Sequence, residues 1–223
     1  MTKFIVHSIP GSPYGRAVFA TLEEKGAAYD IAPIAVGAQR SEPHLSRHPF
    51  GRMPVLEHDG FALYETQAIL RYLDRLLPQP SMTPADLKAV ARMDQAMNIN
   101  DWYLFQGVAN VIVAQRVIFP RLFGAAPDEA LIAAAMPKAH VVFDEMARLL
   151  GGQKYFGGDI VSLADVSIAP QLDLFVGLPE WEPLTQKHPN LRAWLDVMNA
   201  RPSLRATTWQ RIAQLATAAK TAA

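Results

Sequence analysis

The sequence predicts an α/β N-terminal part followed by an all-helical C-terminal part. Within residues 1–77, short apolar runs and dense turn clusters alternate with helical spacing. The stretch LPQPSMTP, from Leu77 to Pro84, sets three prolines in eight residues and reads as a linker. Beyond it strand signals almost vanish. The predicted division is residues 1–77, a linker over 78–85 and a helical domain over 86–223.

Lys3 to His7 is a short apolar strand that runs into the turn cluster Ser8-Ile9-Pro10-Gly11-Ser12-Pro13. A helix follows, with Ala17, Phe19, Ala20, Leu22 and Glu23 on its pattern and Gly26 as its stop. Tyr29 to Ile34 reads as a second strand. A strand, helix and strand of these lengths predict a parallel βαβ unit. Val36 to Ser46 is polar and irregular, with one helical turn. The stretch from His48 to Asp74 then organises the rest. Gly51 supplies a turn, Pro54-Val55-Leu56 opens a strand, and Asp59-Gly60 is a two-residue hairpin signal. Phe61 to Tyr64 is the return strand. Glu65-Thr66 stands before Ala68, Ile69, Tyr72, Leu73 and Leu76, which follow helical spacing.

The C-terminal part begins with a helical region from Ala85 to Phe119, ended by Phe119-Pro120 and the GAAP turn at 124–127. Val90, Met93, Met97, Leu104, Val108 and Val111 share one of its faces. A second helix spans Asp128 to Leu150, and Pro137 inside it predicts a kink or a late start. Further helices are expected over Leu163–Val176, over Leu191–Ala200 and after Pro202, with a frayed Ala/Thr-rich tail. Ser162 and Asp165 form a capping box, flanked by Val161 and Val166 as a hydrophobic staple, so Asp165 is a folding residue.

Lys+Arg and Asp+Glu both number 21, so no net field points to nucleic acid or a membrane surface. No apolar run approaches the roughly 18 residues of a membrane span, and no signal-peptide core is present. A cytoplasmic location is the default reading. The chain has no cysteine, which removes disulfides, zinc ribbons, C-x-x-C redox chemistry and a cysteine nucleophile. Any sulfur chemistry belongs to a ligand.

Two features of the central stretch bear on binding. Pro54 at a strand start is either an edge device or the second residue of a cis Met53-Pro54 bond. The latter leaves the Met53 backbone facing a cleft, ready to pair with an extended peptide. Glu65-Thr66 is either ordinary capping or an anion site at a helix N-terminus. A strand edge beside an anion site suits a small acidic peptide.

The ordered set His48-Pro49-Phe50-Gly51-Arg52-Met53-Pro54-Val55-Leu56, Gly60, Leu63, Glu65-Thr66 and Ala68-Ile69 resembles the glutathione-binding half of cytosolic glutathione transferases. His48, Met53 and Thr66 replace the commoner Asn, Val and Ser. The resemblance implies a thioredoxin-like domain, a helical domain and a homodimer with its site between the domains. Ser12-Pro13-Tyr14-Gly15-Arg16 resembles the serine-type members, the theta, phi and related bacterial classes, in which the catalytic serine stands four residues before an arginine. A lone loop serine is otherwise a helix cap, and no G-x-S-x-G elbow surrounds this one.

By that resemblance Ser12 donates a hydrogen bond to the glutathione thiolate. Gln39, Arg40 and Arg52 hold the glycine carboxylate or face water as loop residues. Met53, Pro54, Glu65 and Thr66 complete the glutathione site, and Asp101 reaches the glutathione amine across the dimer. Tyr14, Trp102, Tyr103 and Phe105 line a hydrophobic substrate pocket, though aromatic clusters are more often core. Arg16 reads as a structural ion-pair residue. The implied reaction joins glutathione, the co-substrate, to a hydrophobic electrophile without a metal. Alternatives on the same site are a glutathione-dependent peroxidase, disulfide reductase or dehalogenase, or a non-catalytic binding protein. The Ser-Ser-Cys-x-x-Arg signature of the maleylacetoacetate isomerase branch is absent.

Overall fold

The computed structural model describes residues 4–221. Two compact units form: described residues up to Ser81 join those from Ala200 onward, and Met82–Asn199 make the other. No helix among the described residues is long and apolar enough to cross a membrane.

The first unit is built on a four-stranded sheet of order β2-β1-β3-β4, with β1 Phe4–Ser8, β2 Tyr29–Pro33, β3 Val55–His58 and β4 Phe61–Tyr64. β1 and β2 are parallel, and β3 runs antiparallel to both β1 and β4. This is the predicted βαβ unit followed by a hairpin. Asp59 and Gly60 take φ 47° and 85° between β3 and β4, the two left-handed residues a twist-compatible two-residue turn requires. Lys3, included in the predicted first strand, lies outside the described residues.

Helix α1 (Pro13–Glu24) buries Ala17, Val18, Phe19, Ala20 and Leu22, and α3 (Thr66–Leu76) buries Ile69, Leu70 and Leu73 against it. The first turn of α1 comes down on the end of β1. A Cβ built on Gly15 would lie 2.1 Å from the buried Ser8 Oγ. Between β2 and β3 the chain makes a 3₁₀ turn at Ala38–Arg40 and one helical turn, α2 (His44–Arg47), slightly more helix than predicted. The C-terminal segment adds α11 (Pro202–Ala206) and α12 (Trp209–Thr221), which pack on α1 and β2. The tail expected to fray is helix as far as Thr221, and residues 222–223 fall outside the described ones.

In the second unit residues 87–123 form two helical runs joined by a kink at Gln106–Gly107, taking in α4 (Leu87–Ile99), a π-type stretch (Asn100–Ala109), α5 (Asn110–Val113), a second π-type stretch (Ala114–Ile118) and α6 (Phe119–Phe123). Phe119-Pro120 does not end the second run. Pro120 lies in the first turn of α6, directly after the wider π turns, where a missing N–H is tolerated. Gly124, at φ 64°, is the stop. The irregularity falls earlier, at Gln106 (ψ 111°) and Gly107 (φ 78°), where Lys138 Nζ donates to the Gln106 carbonyl. Helix α7 (Glu129–Leu150) starts at its Asp128 cap and runs through Pro137, so the late start does not occur. α8 (Leu163–Asp173), a short α9 (Trp181–Thr185) that was not anticipated, and α10 (Pro189–Asn199) complete the unit.

The capping box opens α8 as expected. Asp165 is fully buried and accepts from Ser162 N (2.8 Å), Ser162 Oγ (2.6 Å), Phe156 N (2.9 Å) and Trp194 Nε1 (2.8 Å). It joins α10 to the start of α8 and has no catalytic surroundings.

Candidate active site

Strand register brings the first unit's predicted site residues to one end of the sheet. Ser8 pairs with Pro33, His7 with Val55, and Val55 with Tyr64. The loops after β1, after β2, before β3 and after β4 therefore all leave at the same end. Ser12, Tyr14, Gln39, Arg40, Arg52, Met53, Pro54, Glu65 and Thr66 all lie on these loops or on the helix turns they lead into.

Ser12 is the N-cap of α1, with extended backbone, and its Oγ accepts the Gly15 N–H at 3.2 Å. A hydroxyl has two lone pairs and one proton, so this bond uses an acceptor site and leaves the O–H to donate. The cap predicted for a lone serine is present, and it does not preclude donation. The position also lies at the positive end of the α1 dipole. Tyr14 follows in the first turn, half-buried. Arg16 donates to the Leu204 carbonyl at 3.1 Å, a backbone contact beside the ion-pair role expected of it.

The loops after β2 and before β3 touch. A Cβ on Gly51, at φ 59°, would stand 3.0 Å from the Gln39 carbonyl and 3.5 Å from Arg40 Cγ, so glycine permits this approach. The Gln39 Oε1 is buried with no hydrogen-bond partner among the described residues, and Arg40 is exposed. His44, 4% exposed, places its Nε2 2.6 Å from the Arg52 carbonyl. A carbonyl only accepts, so this nitrogen carries the proton and the imidazole tethers the residue before Met53. The Met53-Pro54 bond is cis.

Glu65 takes φ 69° and ψ 111°, a left-handed conformation costly for a side chain other than glycine's. It stands at the N-cap of α3, yet its exposed side chain makes no capping hydrogen bond. Of the two sequence readings, ordinary capping by Glu65 is not what forms. Thr66, the first residue of α3, is buried.

Sequence reasoning gave no role to His44 and noted His48 only as a variant. His48 is 2% exposed, its ring centroid 4.6 Å from that of Tyr64. Burial pushes its imidazole below the ordinary value, against the pull of the Glu65 carboxylate, so it is neutral at pH 7. The signal was its place where the resembled motif carries asparagine.

Asp101, Trp102, Tyr103 and Phe105 belong to the second unit. Asp101 is half-buried and accepts from Asn100 Nδ2 at 3.1 Å, which supplies a partner its register demanded. Trp102 and Tyr103 are 66% and 56% exposed, while Phe105 is half-buried. The core reading of this aromatic cluster is corrected. The two rings lie off the stripe of Met97, Leu104 and Val108, whose side chains are buried, and so fall on the exposed side.

Comparison with known proteins agrees with this fold. Residues 6–81 match the N-terminal domain of the glutathione S-transferase family, and residues 110–202 match its C-terminal domain. The probable glutathione S-transferase GSTF2 of Oryza sativa is 33% identical over 187 residues, 82% of this chain and 86% of that one. Glutathione transferase F7 of Populus trichocarpa superposes with a TM-score of 0.81 at 25% identity, covering 96% of this chain and 99% of that one. Maize glutathione S-transferase I, solved with an atrazine glutathione conjugate, gives a TM-score of 0.78 at 27% identity over 96% and 98% of the chains. With a thioredoxin-like first unit, a helical second unit and both family domains matched in order, the chain belongs to the glutathione S-transferase family.

Proposed function

We propose that the protein is a serine-type glutathione transferase, in which Ser12 stabilises the glutathione thiolate for attack on a hydrophobic electrophile. The observation that carries this is Ser12 at the α1 N-cap, accepting from Gly15 and keeping its own proton to give. A free thiol has a pKa of about 8.5, so only a few per cent is ionised at neutral pH. A hydroxyl donating to sulfur, at the positive end of a helix, favours the thiolate. The thiol proton leaves to solvent. The sulfur lone pair then forms the C–S bond as the electrophile's leaving group departs or its double bond takes up the charge. Ser12 stays bonded to its own proton throughout.

The other residues bind. The Met53 backbone pairs with the extended peptide, and the free N-terminus of α3 at Thr66 takes a carboxylate. The Glu65 carboxylate faces the peptide's ammonium group, and Arg40, Arg52 and Gln39 hold the glycine carboxylate. Asp101, with Tyr14 in the first unit and Trp102, Tyr103 and Phe105 in the second as residues for the hydrophobic substrate, completes this reading, as do a homodimer and a cytoplasmic location. Support comes from the family and from the first-unit loops converging at one sheet end.

Calorimetric titration of glutathione into the wild type and Ser12→Ala, with absorbance near 240 nm followed against pH, tests the proposal. The expected result is binding by both proteins, with a lowered thiol pKa in the wild type alone. Binding without any lowering in the wild type overturns it.

A further inference from the structure

Gly11, directly before Ser12, adopts φ +94°, a conformation that L side chains rarely adopt. The space a side chain would need is also already taken. A Cβ at Gly11 would come within 2.6 Å of Trp209 Cε2, 2.8 Å of Cδ2 and 2.9 Å of Cζ2, all atoms of the six-membered ring. The indole therefore lies against the backbone of the turn that carries Ser12, a turn closed by the Ser12 N–H donating to the Ile9 carbonyl at 3.0 Å.

Trp209 is itself held in place. It opens α12, whose Ile212 and Ala216 are buried. Upstream, Arg201 donates to Glu24 through Nε and Nη2 at 2.7 Å each, and Ser203 Oγ donates to the same carboxylate. Arg16 donates to the Leu204 carbonyl, and Thr207 Oγ1 to that of Ser203 at 2.8 Å. The segment is thus fastened along α1 at Glu24 and Arg16 before Trp209 reaches the turn. Ser12 is fixed from its C-terminal side by the Gly15 N–H and from its N-terminal side by the indole.

We infer that Trp209 is a positioning residue for Ser12. The inference rests on Ser12 acting as the thiolate donor. A hydrogen bond to sulfur depends on direction, and displacement on the order of 1 Å costs up to about 100-fold in rate in positioned sites. Removing the ring frees the turn to shift while the peptide-binding loops at residues 39–54 and 65–66 stay as they are.

The test follows the 240 nm absorbance of bound glutathione against pH in wild type, Ser12→Ala, Trp209→Ala and Trp209→Phe, with calorimetric Kd values and thermal melts. Trp209→Ala is expected to raise the bound-thiol pKa by about half a unit or more. Its Kd for glutathione is expected to stay within about threefold of wild type. Trp209→Phe, which keeps a flat ring at the turn, recovers most of the shift. A raised pKa in Ser12→Ala with none in Trp209→Ala overturns the inference and leaves the serine reading standing. No change in Ser12→Ala overturns both. Where Trp209→Ala does not fold, Trp209→Leu takes its place, and a wild-type thiol pKa in that variant overturns the inference equally.

Discussion

Lys25 Nζ lies 2.5 Å from Asp74 Oδ1, with the two side chains 0% and 6% exposed, so an enclosed ion pair joins the end of α1 to α3. Lys25 also donates to the Pro80 carbonyl at 2.5 Å. A buried pair of this kind adds little over a well-packed apolar pair, because desolvation offsets the attraction, but losing one partner strands the other. Asp74→Ala is expected to destabilise by about 3–5 kcal/mol, read as a fall in urea midpoint. The double variant Lys25→Met with Asp74→Leu is expected within about 2 kcal/mol of wild type. A single variant as stable as the double would show that Lys25 finds water on its own.

The Glu24 carboxylate makes stability pH-dependent in a defined direction. Burial acts to raise its pKa, but the hydrogen bonds from Arg201 and Ser203 and the Arg201 charge outweigh that and hold it below the ordinary 4.5. A depressed carboxylate pKa contributes stability that is present above the unfolded value and lost as pH falls through the folded one. Glu24→Gln is therefore expected to cost about 1–3 kcal/mol at pH 7. The gap to wild type should close as pH falls below about 4.5. Chemical denaturation at pH 7 and pH 3 checks this, and a gap of equal size at both would exclude the charge as its cause.

Much of the first unit was legible because its signals are local. Asp59-Gly60 forces one turn, and the Pro54 and Gly51 positions follow from backbone geometry that few other residues satisfy. The same holds for the Ser162–Asp165 box, whose two partners are three residues apart. What escaped the sequence was either non-local or aperiodic. Trp209 over Gly11 and Arg201 on Glu24 join positions nearly the whole chain apart, and no residue nearby announces them. The apolar stripe holds through Met93, Met97, Leu104 and Val108, all buried, while Trp102 and Tyr103 lie off it and are exposed, and the π turns let Pro120 open α6 where a proline alone reads as a stop. His44 lies in a segment that reads only as polar and irregular, and the fold alone sets it against the Arg52 carbonyl.

Gly15 offers a case where helix propensity and packing disagree in sign. Alanine is the better helix former by about 1 kcal/mol, so propensity alone predicts a gain from Gly15→Ala. The added Cβ would stand 2.1 Å from Ser8 Oγ and 2.9 Å from Ser8 Cβ, and the latter is fixed to the strand, with Ser8 1% exposed. Overpacking of this kind costs about 1–3 kcal/mol, so a net loss is expected. Ser8→Ala removes the nearest atom, and the double variant should lose less than the sum of the singles. Strict additivity would mean that α1 moves away from β1 instead.

Glu65 separates stability from binding. Its φ of 69° and ψ of 111° cost a non-glycine residue about 1–3 kcal/mol, and its side chain recovers none of this by capping α3. Glycine relieves the strain but loses about 0.5–1 kcal/mol through the greater freedom of the unfolded chain. Glu65→Gly is therefore expected to equal or exceed wild type in stability by up to about 2 kcal/mol. Under the proposed role, the same change removes the carboxylate that meets the peptide's ammonium group, and glutathione affinity should fall about tenfold, or 1.4 kcal/mol. Glu65→Gln serves as the control. It keeps the backbone strain and side-chain size, so its stability should match wild type while its affinity falls with that of the glycine variant. Thermal melts paired with glutathione titrations resolve the two effects. Should Glu65→Gly lose stability and bind glutathione as wild type does, the strained conformation serves the fold, and the peptide's ammonium group does not meet Glu65.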